Sequence, residues 1–440
     1  MSATLKMLPG ESQTRVGLIP LLIVVTSIGY GVLHAFLPAS LQPGPVSTAQ
    51  QPQNADATPA SPRDECLRIA ANPPKYLDLS EDVFRRAERA WGDACRQALA
   101  AGDDDPRLKV ALAHTIGVDQ RPDELVLLRE AAAASNAEAN YEIYESYKSW
   151  DQHTDRPQLV TRAEAAAALR KAAELGHPFS IRMIAIRLDR GGIVKRDAAE
   201  ARIWAERSLA NPPKDTPRGS LQTFLATLLA SSDKFDERAR GLDQLERLSQ
   251  VGRSDATAEL GIAIRSTDSM RARALLERAR PDAPGHAAPA LADMLVKGEG
   301  GPADPKRALK VVTGHNDIGA IEGARGQFYL DGKLMPRNVK EAIRLIGHAG
   351  VWDIDARLQE VQLLAANPDV QVERPVAVLF DAMEAAELDE PGAKTALIDL
   401  KLSPHPQFSD KHGGCKLLET VAASGDQAAT QRMAMDCRNN

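Results

Sequence analysis

The hydrophobic and polar positions divide the chain into three stretches with different patterns. From Val16 to Leu37 the sequence VGLIPLLIVVTSIGYGVLHAFL carries no charged residue. A helix of about 22 residues at 1.5 Å per residue is roughly 33 Å long, enough to cross the apolar layer of a bilayer. Residues 40–62, SLQPGPVSTAQQPQNADATPASP, lose this character and are rich in Pro, Gln, Ala and Ser, with Asp56 as the one charge. Such a segment buries too little apolar surface to fold, and it predicts an extended tether. From residue 63 an amphipathic helical pattern takes over, as in EDVFRRAERAWGDACRQALA (Glu81–Ala100).

Within the helical stretch, LDRGGIVKRDAAEARIWAERSLA (Leu188–Ala210) sets two adjacent glycines in a run that otherwise reads as helix. A glycine inside a helix costs about 1 kcal/mol against alanine, so the pair marks a joint between helices. Two other stretches share its grammar, Leu295–Val312 and Tyr329–Leu345. Aligned on Gly191, Gly298 and Gly332, they carry Ala185, Ala292 and Gly326 six residues earlier, and Leu188, Leu295 and Tyr329 three residues earlier. Asp197, Asp304 and Asn338 follow six residues later, and Ala201, Ala308 and Ala342 ten residues later. The glycine supplies the left-handed turn that ends the first helix. The Asp or Asn caps the second helix by accepting its free N–H groups. The small residues lie where the two helices approach closely.

Second helices end on Gly176-His177, Gly285-His286 and Gly425-Asp426, a glycine closing one helix and a polar residue opening the next. Gly191 and Gly298 are 107 residues apart, about three units of 36, and Gly298 and Gly332 are 34 apart. Periods of this size predict a solenoid of helical pairs.

This grammar resembles the Sel-one-like repeat family, a relative of the tetratricopeptide repeats. The resemblance rests on Gly191, Val194, Asp197, Ala201 and Trp204, and on Ala172, Ala173 and Gly176. It is close in Ser180–Leu209, Ala287–Val312 and Ala320–Gly350, and looser in Asn136–Gly176, Gly219–Gly252, Ala256–Pro281, Ile354–Leu388 and Gly392–Gly425. It implies an all-α, right-handed superhelical solenoid of antiparallel hairpins, here preceded by one transmembrane helix. The expected organisation is a cytoplasmic N-terminus (1–15), the span (16–37), the tether (40–62), an N-terminal helical cap (63–130), about eight repeats (136–425) and a capping helix (426–440).

Composition sharpens this reading. Aromatic residues make up only 4% of the 440, which suits thin, alanine-rich layers between helices rather than a bulky β-sandwich core. The net charge of −6 gives no footprint for nucleic acid. Lys6 and Arg15 precede the apolar run and no Lys or Arg follows it until Arg63, so the N-terminus is expected inside and the bulk outside. A cleaved signal peptide would have a shorter apolar core and a small-x-small site, which AFLPAS (Ala35–Ser40) matches poorly. Cys66 and Cys95 fall near one end of the folded part, Cys415 and Cys437 near the other, with no zinc-type spacing. Two local disulfides clamping the terminal hairpins would agree with an external location, and four buried free thiols are the alternative.

Sites for chemistry are few. Ser231-Ser-Asp-Lys234 has an S-x-x-K spacing without its companion motifs, and it falls at a joint between helices. His405, His412 and Cys415 lie within eleven residues and offer metal-type donors, but in no common zinc spacing, so the segment reads as a solvated loop. Neither a catalytic, a metal nor a cofactor site is expected. Tyr141, Tyr144, Tyr147 and Trp150 could anchor a partner, or could be the core stripe of the first unit at i, i+3, i+6 and i+9.

The resemblance implies a non-enzymatic, protein-binding scaffold of the bacterial envelope. It would sit in the inner membrane through residues 16–37, hold its repeats in the periplasm and bind other envelope proteins, such as a polysaccharide synthesis or export complex. A periplasmic regulator that binds a membrane sensor kinase is the second expectation, and a polysaccharide or cell-wall hydrolase the remote third.

Overall fold

The computed structural model describes residues 61–71, 81–115, 121–150, 159–313, 318–350 and 353–437. All belong to the second of two compact units, Ala60–Asn440. The apolar run 16–37 and the tether up to residue 60 lie outside the described residues. Among the described residues there is no strand, and no helix is long and apolar enough to cross a membrane.

The helices pair in chain order into hairpins. The first is α1 (Pro62–Ala71) with α2 (Glu81–Ala100), followed by α3 (Pro106–Ala113) with α4 (Arg121–Ala133), α5 (Ala137–Trp150) with α6 (Arg162–Glu174), and α7 (Pro178–Arg190) with α8 (Ala198–Ala210). Then come α9 (Arg218–Ala230) with α10 (Phe235–Gln250), α11 (Ser254–Ala263) with α12 (Ser269–Ala279), α13 (Pro284–Lys297) with α14 (Pro305–Thr313), and α15 (Gly319–Asp331) with α16 (Val339–Ala349). The C-terminal part holds α17 (Ile354–Ala366), α18 (Pro375–Glu387), α19 (Ala393–Leu402), α20 (Lys411–Ala423) and α21 (Gln427–Asp436). Each hairpin rests on the next, and first helices also touch first helices, α9 on α11, α11 on α13 and α13 on α15. In the C-terminal part α17 packs more closely on α19 than on α18.

Three joints share one hydrogen-bond pattern. The N–H groups of Asp197, Asp304 and Asn338 donate back to the carbonyls of Leu188, Leu295 and Tyr329, at 2.8, 2.8 and 3.1 Å. Their side chains then accept from the N–H groups of Glu200, Arg307 and Glu341, capping α8, α14 and α16. Gly298 and Gly332 are left-handed, whereas Gly191 combines a φ of 80° with an extended ψ of −158°. The α19–α20 joint repeats the pattern without a glycine. Asp410 N–H donates to Lys401 at 2.8 Å and its carboxylate caps α20, with Pro404 at the glycine's position.

The small residues sit where helices meet. Ala185, Ala201, Ala292, Ala308 and Ala342 are fully buried, and a Cβ on Gly326 would lie 3.2 Å from the carbonyl oxygen of Ala342. Trp204 is buried too, its Nε1 donating to Glu200 at 3.1 Å while the Arg207 guanidinium lies 4.5 Å from the ring centre. Tyr329 is half-buried. α9 and α10 approach so closely that a Cβ on Gly241 would fall 2.2 Å from the amide nitrogen of Ala230.

Gly176 and Gly425 end α6 and α20 with positive φ. Gly285 does not end a helix: Pro284, with φ preset for a first turn, starts α13 one residue earlier, so Gly285 and His286 lie inside it. Second helices without a glycine there use Ser135 after α4 and Asp389 after α18, both at positive φ.

Cys66 pairs with Cys95 and Cys415 with Cys437, and no cysteine is free. Each bond ties the two helices of a terminal hairpin, where the core clusters are smallest.

Two predictions follow from these contacts. Gly241→Ala should push α9 and α10 apart and cost about 1–3 kcal/mol by overpacking, read as a lower urea midpoint; an unchanged midpoint would refute the close approach. Reducing Cys415–Cys437 frees a loop of 22 residues of sequence separation. Amides of α20 and α21 should then lose protection equivalent to about 3 kcal/mol in hydrogen exchange, while those of α13 keep theirs.

Candidate interaction surface

α5 carries all four aromatic residues singled out in the sequence, and the structure gives them different roles. Tyr144 is fully buried in the largest core cluster, and its hydroxyl accepts from Nε and Nη2 of Arg187 at 3.4 Å each. Tyr147 is buried against a distant part of the chain. The side chain of Trp150 lies outside what is described.

Tyr141 instead joins a ledge that runs from α5 to α7. Its ring centre is 4.5 Å from that of His177 and 6.3 Å from that of Phe179, with the Tyr141 and Phe179 rings stacked at 26°. His177 is fixed by both ring nitrogens. Nδ1 accepts the N–H of Ser180 at 3.3 Å as the cap of α7, so Nε2 donates to Glu138 at 3.2 Å and holds that carboxyl below its ordinary range. Phe179 remains 39% exposed, in the first turn of a capped helix and with a ring behind it, which is the form of a preorganised anchor.

The second feature joins residues about 160–240 positions apart in sequence. The Tyr147 hydroxyl on α5 donates to Oε1 of Glu384 on α18, and its ring lies 6.2 Å from that of Phe380. Beside it Arg162 of α6 donates from Nη2 to Glu387 at 3.0 Å. At the α7–α8 joint, Arg196 donates from Nε to Oε2 of Glu390 at 2.9 Å and from Nη1 to Asp355 at 3.1 Å. The Glu390 side chain is only 2% exposed. Gly191 serves this contact as well as its own joint, since a Cβ there would come within 2.7 Å of Glu390 Oε1. The stack therefore curls until α17, α18 and the α18–α19 turn meet α5–α8.

The electrostatics of this contact are unusual. Burial pushes the Glu384 carboxyl up to about 8, with the nearby Asp381 and Glu387 adding to the rise, against the Tyr147 hydrogen bond and Arg162. Burial, then the charge of Glu384, pushes the Tyr147 hydroxyl up. Among the described residues Arg162 Nε and Glu390 Oε1 are buried without a hydrogen-bond partner. Sequence reasoning missed Arg162, Arg196, Glu384 and Glu390. The available signal was a run of five carboxylates and no cation, Asp381, Glu384, Glu387, Asp389 and Glu390, interleaved with apolar residues in PVAVLFDAMEAAELDEP (Pro375–Pro391).

Other candidates fall apart as sites. Ser231 Oγ donates to the Thr227 carbonyl at 2.9 Å, and Lys234 Nζ donates to Glu237 at 3.0 Å. His405 is not in a solvated loop. It is fully buried, its Nε2 donates to the Val370 carbonyl at 2.8 Å, and its Nδ1 accepts from Gln407 N–H, which fixes the α19–α20 turn. His412 is exposed on α20 and Cys415 is in its disulfide. Among the described residues no group of three metal-type donors gathers.

No family model matches the chain, and none of the curated proteins does. Solved structures similar to it include a Sel1 repeat protein from Oxalobacter formigenes, at 16% identity, 74% of this chain, 93% of that one and a TM-score of 0.36. Another is a protective antigen of uropathogenic Escherichia coli displaying an SLR fold, at 16% identity, 82% and 89% coverage and a TM-score of 0.36. Yeast Tom70 is similar at 14% identity, 85% and 93% coverage and a TM-score of 0.35.

Removing Arg196 would leave Glu390 buried without its ion-pair partner. Arg196→Ala should cost about 2–4 kcal/mol, toward the lower end for a buried pair because Arg196 itself is partly exposed. Urea unfolding reads this without screening the charges, and an unchanged midpoint would show that Glu390 does not depend on Arg196.

Proposed function

We propose that this chain is a non-enzymatic, protein-binding scaffold of the Sel-one-like repeat class. In this reading it is anchored in the bacterial inner membrane through residues 16–37, with its hairpin stack in the periplasm, and it holds envelope proteins of exopolysaccharide assembly or export. The uncharged run with its basic flank supports the anchor and its direction. The paired cysteines support an oxidising compartment.

The observation that carries the binding role is the aromatic ledge. Phe179 stands 39% exposed on a ring stack that spans two neighbouring first helices. A ring ordered before binding loses little rotamer entropy when a partner covers it, which is how aromatic anchors come to dominate interfaces. In-cell photo-crosslinking from position 179 of the full chain should capture a periplasmic or inner-membrane protein. Tyr141→Ala, which removes the ring behind Phe179, should cut the yield about tenfold, the effect of roughly 1.4 kcal/mol. Capture of cytoplasmic proteins alone, or of none, would overturn the reading.

A further inference from the structure

We propose that the Tyr147–Glu384 contact is a proton-sensitive latch that holds α17–α19 against α5–α8 and releases them as Glu384 loses its proton. The geometry supplies both halves of such a device. The contact joins helices 237 residues apart in sequence, so its closure is not enforced by the local hairpin connections. Its central carboxyl is buried on α18 and accepts from the α5 hydroxyl of Tyr147, whose ring lies 6.2 Å from that of Phe380.

The charged groups around Glu384 come from each element packed there. α5 contributes the Tyr147 hydroxyl and α6 contributes Arg162, which is engaged by Glu387 and by the Ile193 carbonyl. α18 itself contributes Asp381 and Glu387, and α17 contributes Arg357, which bridges Asp381 and Glu360. At the α7–α8 joint Lys195 and Arg196 face Asp389, Asp355 and Glu390. Thus the cations are engaged by other carboxylates, and Glu384 is left with a phenol and a partly shared guanidinium.

The direction of the switch follows from linkage. In the closed form the carboxyl keeps its proton to about 8, whereas a solvated one releases it near 4.5. Below the lower value both forms are protonated and closure is at full strength. Between the two values the closed form must hold a proton that the open form does not, so the closed-to-open ratio falls about tenfold per pH unit. Above the upper value the loss is complete. The latch is therefore strong in acid and weak in mild base.

All native cysteines are in disulfides, so two added cysteines can be labelled selectively. Spin labels at Glu206→Cys on α8 and Val376→Cys on α18 of the full-length chain report the separation by pulsed electron resonance; both sites are exposed. Between pH 5 and pH 8 a longer distance should appear and its ratio to the short one should rise by roughly four-hundredfold, the slope being tenfold per unit in mid-range and flatter near the two titration values, with helical circular dichroism unchanged. Glu384→Gln, which keeps the shape without the charge, should hold the short distance throughout; Glu384→Leu serves if the glutamine variant fails to fold. One short distance at both pH values, a shift that survives in these variants, or loss of helical signal along with the shift would each overturn the proposal.

Discussion

Close approach between paired helices is the constraint on which the rest of this stack depends. Where Gly326 meets Ala342, the interface is one methyl group thick or less, and Ala185 and Ala201 are fully buried at the matching positions of another hairpin. Little apolar area is removed from water per contact, at roughly 25 cal/mol per Å². Stability must then come from many such layers and from holding every hairpin at one geometry. The repeated joint does the second, because one backbone bond from the cap residue to the carbonyl nine residues back fixes the turn before any side chain packs. The terminal hairpins, with a neighbour on one side only, have the smallest core clusters, and these are the ones closed by disulfides.

Against this uniform background the contact between α5–α8 and α17–α19 is built of different material. It uses a phenol, two arginines and four carboxylates where the hairpins use methyl groups. Such groups lose hydration on burial and regain it only through well-formed pairs, so the contact adds little net stability for its size. Its energy is instead steep in geometry and in protonation. Arg196 meets this demand at one oxygen of Glu390, donating to Oε2 from both Nε and Nη2, whereas Glu384 meets it by keeping its proton. Two solutions to one desolvation problem therefore lie a turn and a half apart on the same segment.

The hairpins were legible because their grammar is local. A glycine, a capping Asp or Asn and a small residue act on neighbours within about ten positions, and each leaves a mark at a fixed offset. The α19–α20 joint shows the limit of that grammar. Its cap, Asp410, keeps the backbone bond, but Pro404 hides the glycine signal, and His405 inside the turn reads as solvated when it is buried. Gly285 shows the opposite error, a glycine-histidine pair that looks like a helix end and lies inside a first turn set by Pro284. The closing contact was not legible at all. Its partners sit too far apart for any period to relate them, and an Arg or Glu on a helix is far more often a solvated charge than half of a buried pair.

The two features of α5 are connected by the helix itself. Tyr141 and Tyr147 are six residues apart, about 9 Å along a rigid rod, one facing the exposed ledge and the other the closing contact. A partner seated on Phe179 and Tyr141 therefore lies within reach of the surface that α18 occupies in the closed form. If it touches that surface, it must bind the open form better, by the free energy of the α18 contacts it replaces; if it stops short, closure leaves its affinity unchanged. The reach of the partner beyond the ledge thus decides whether binding and closure are coupled, and by linkage coupled binding would release a proton between about 4.5 and 8, where closed Glu384 holds a proton that the open form does not.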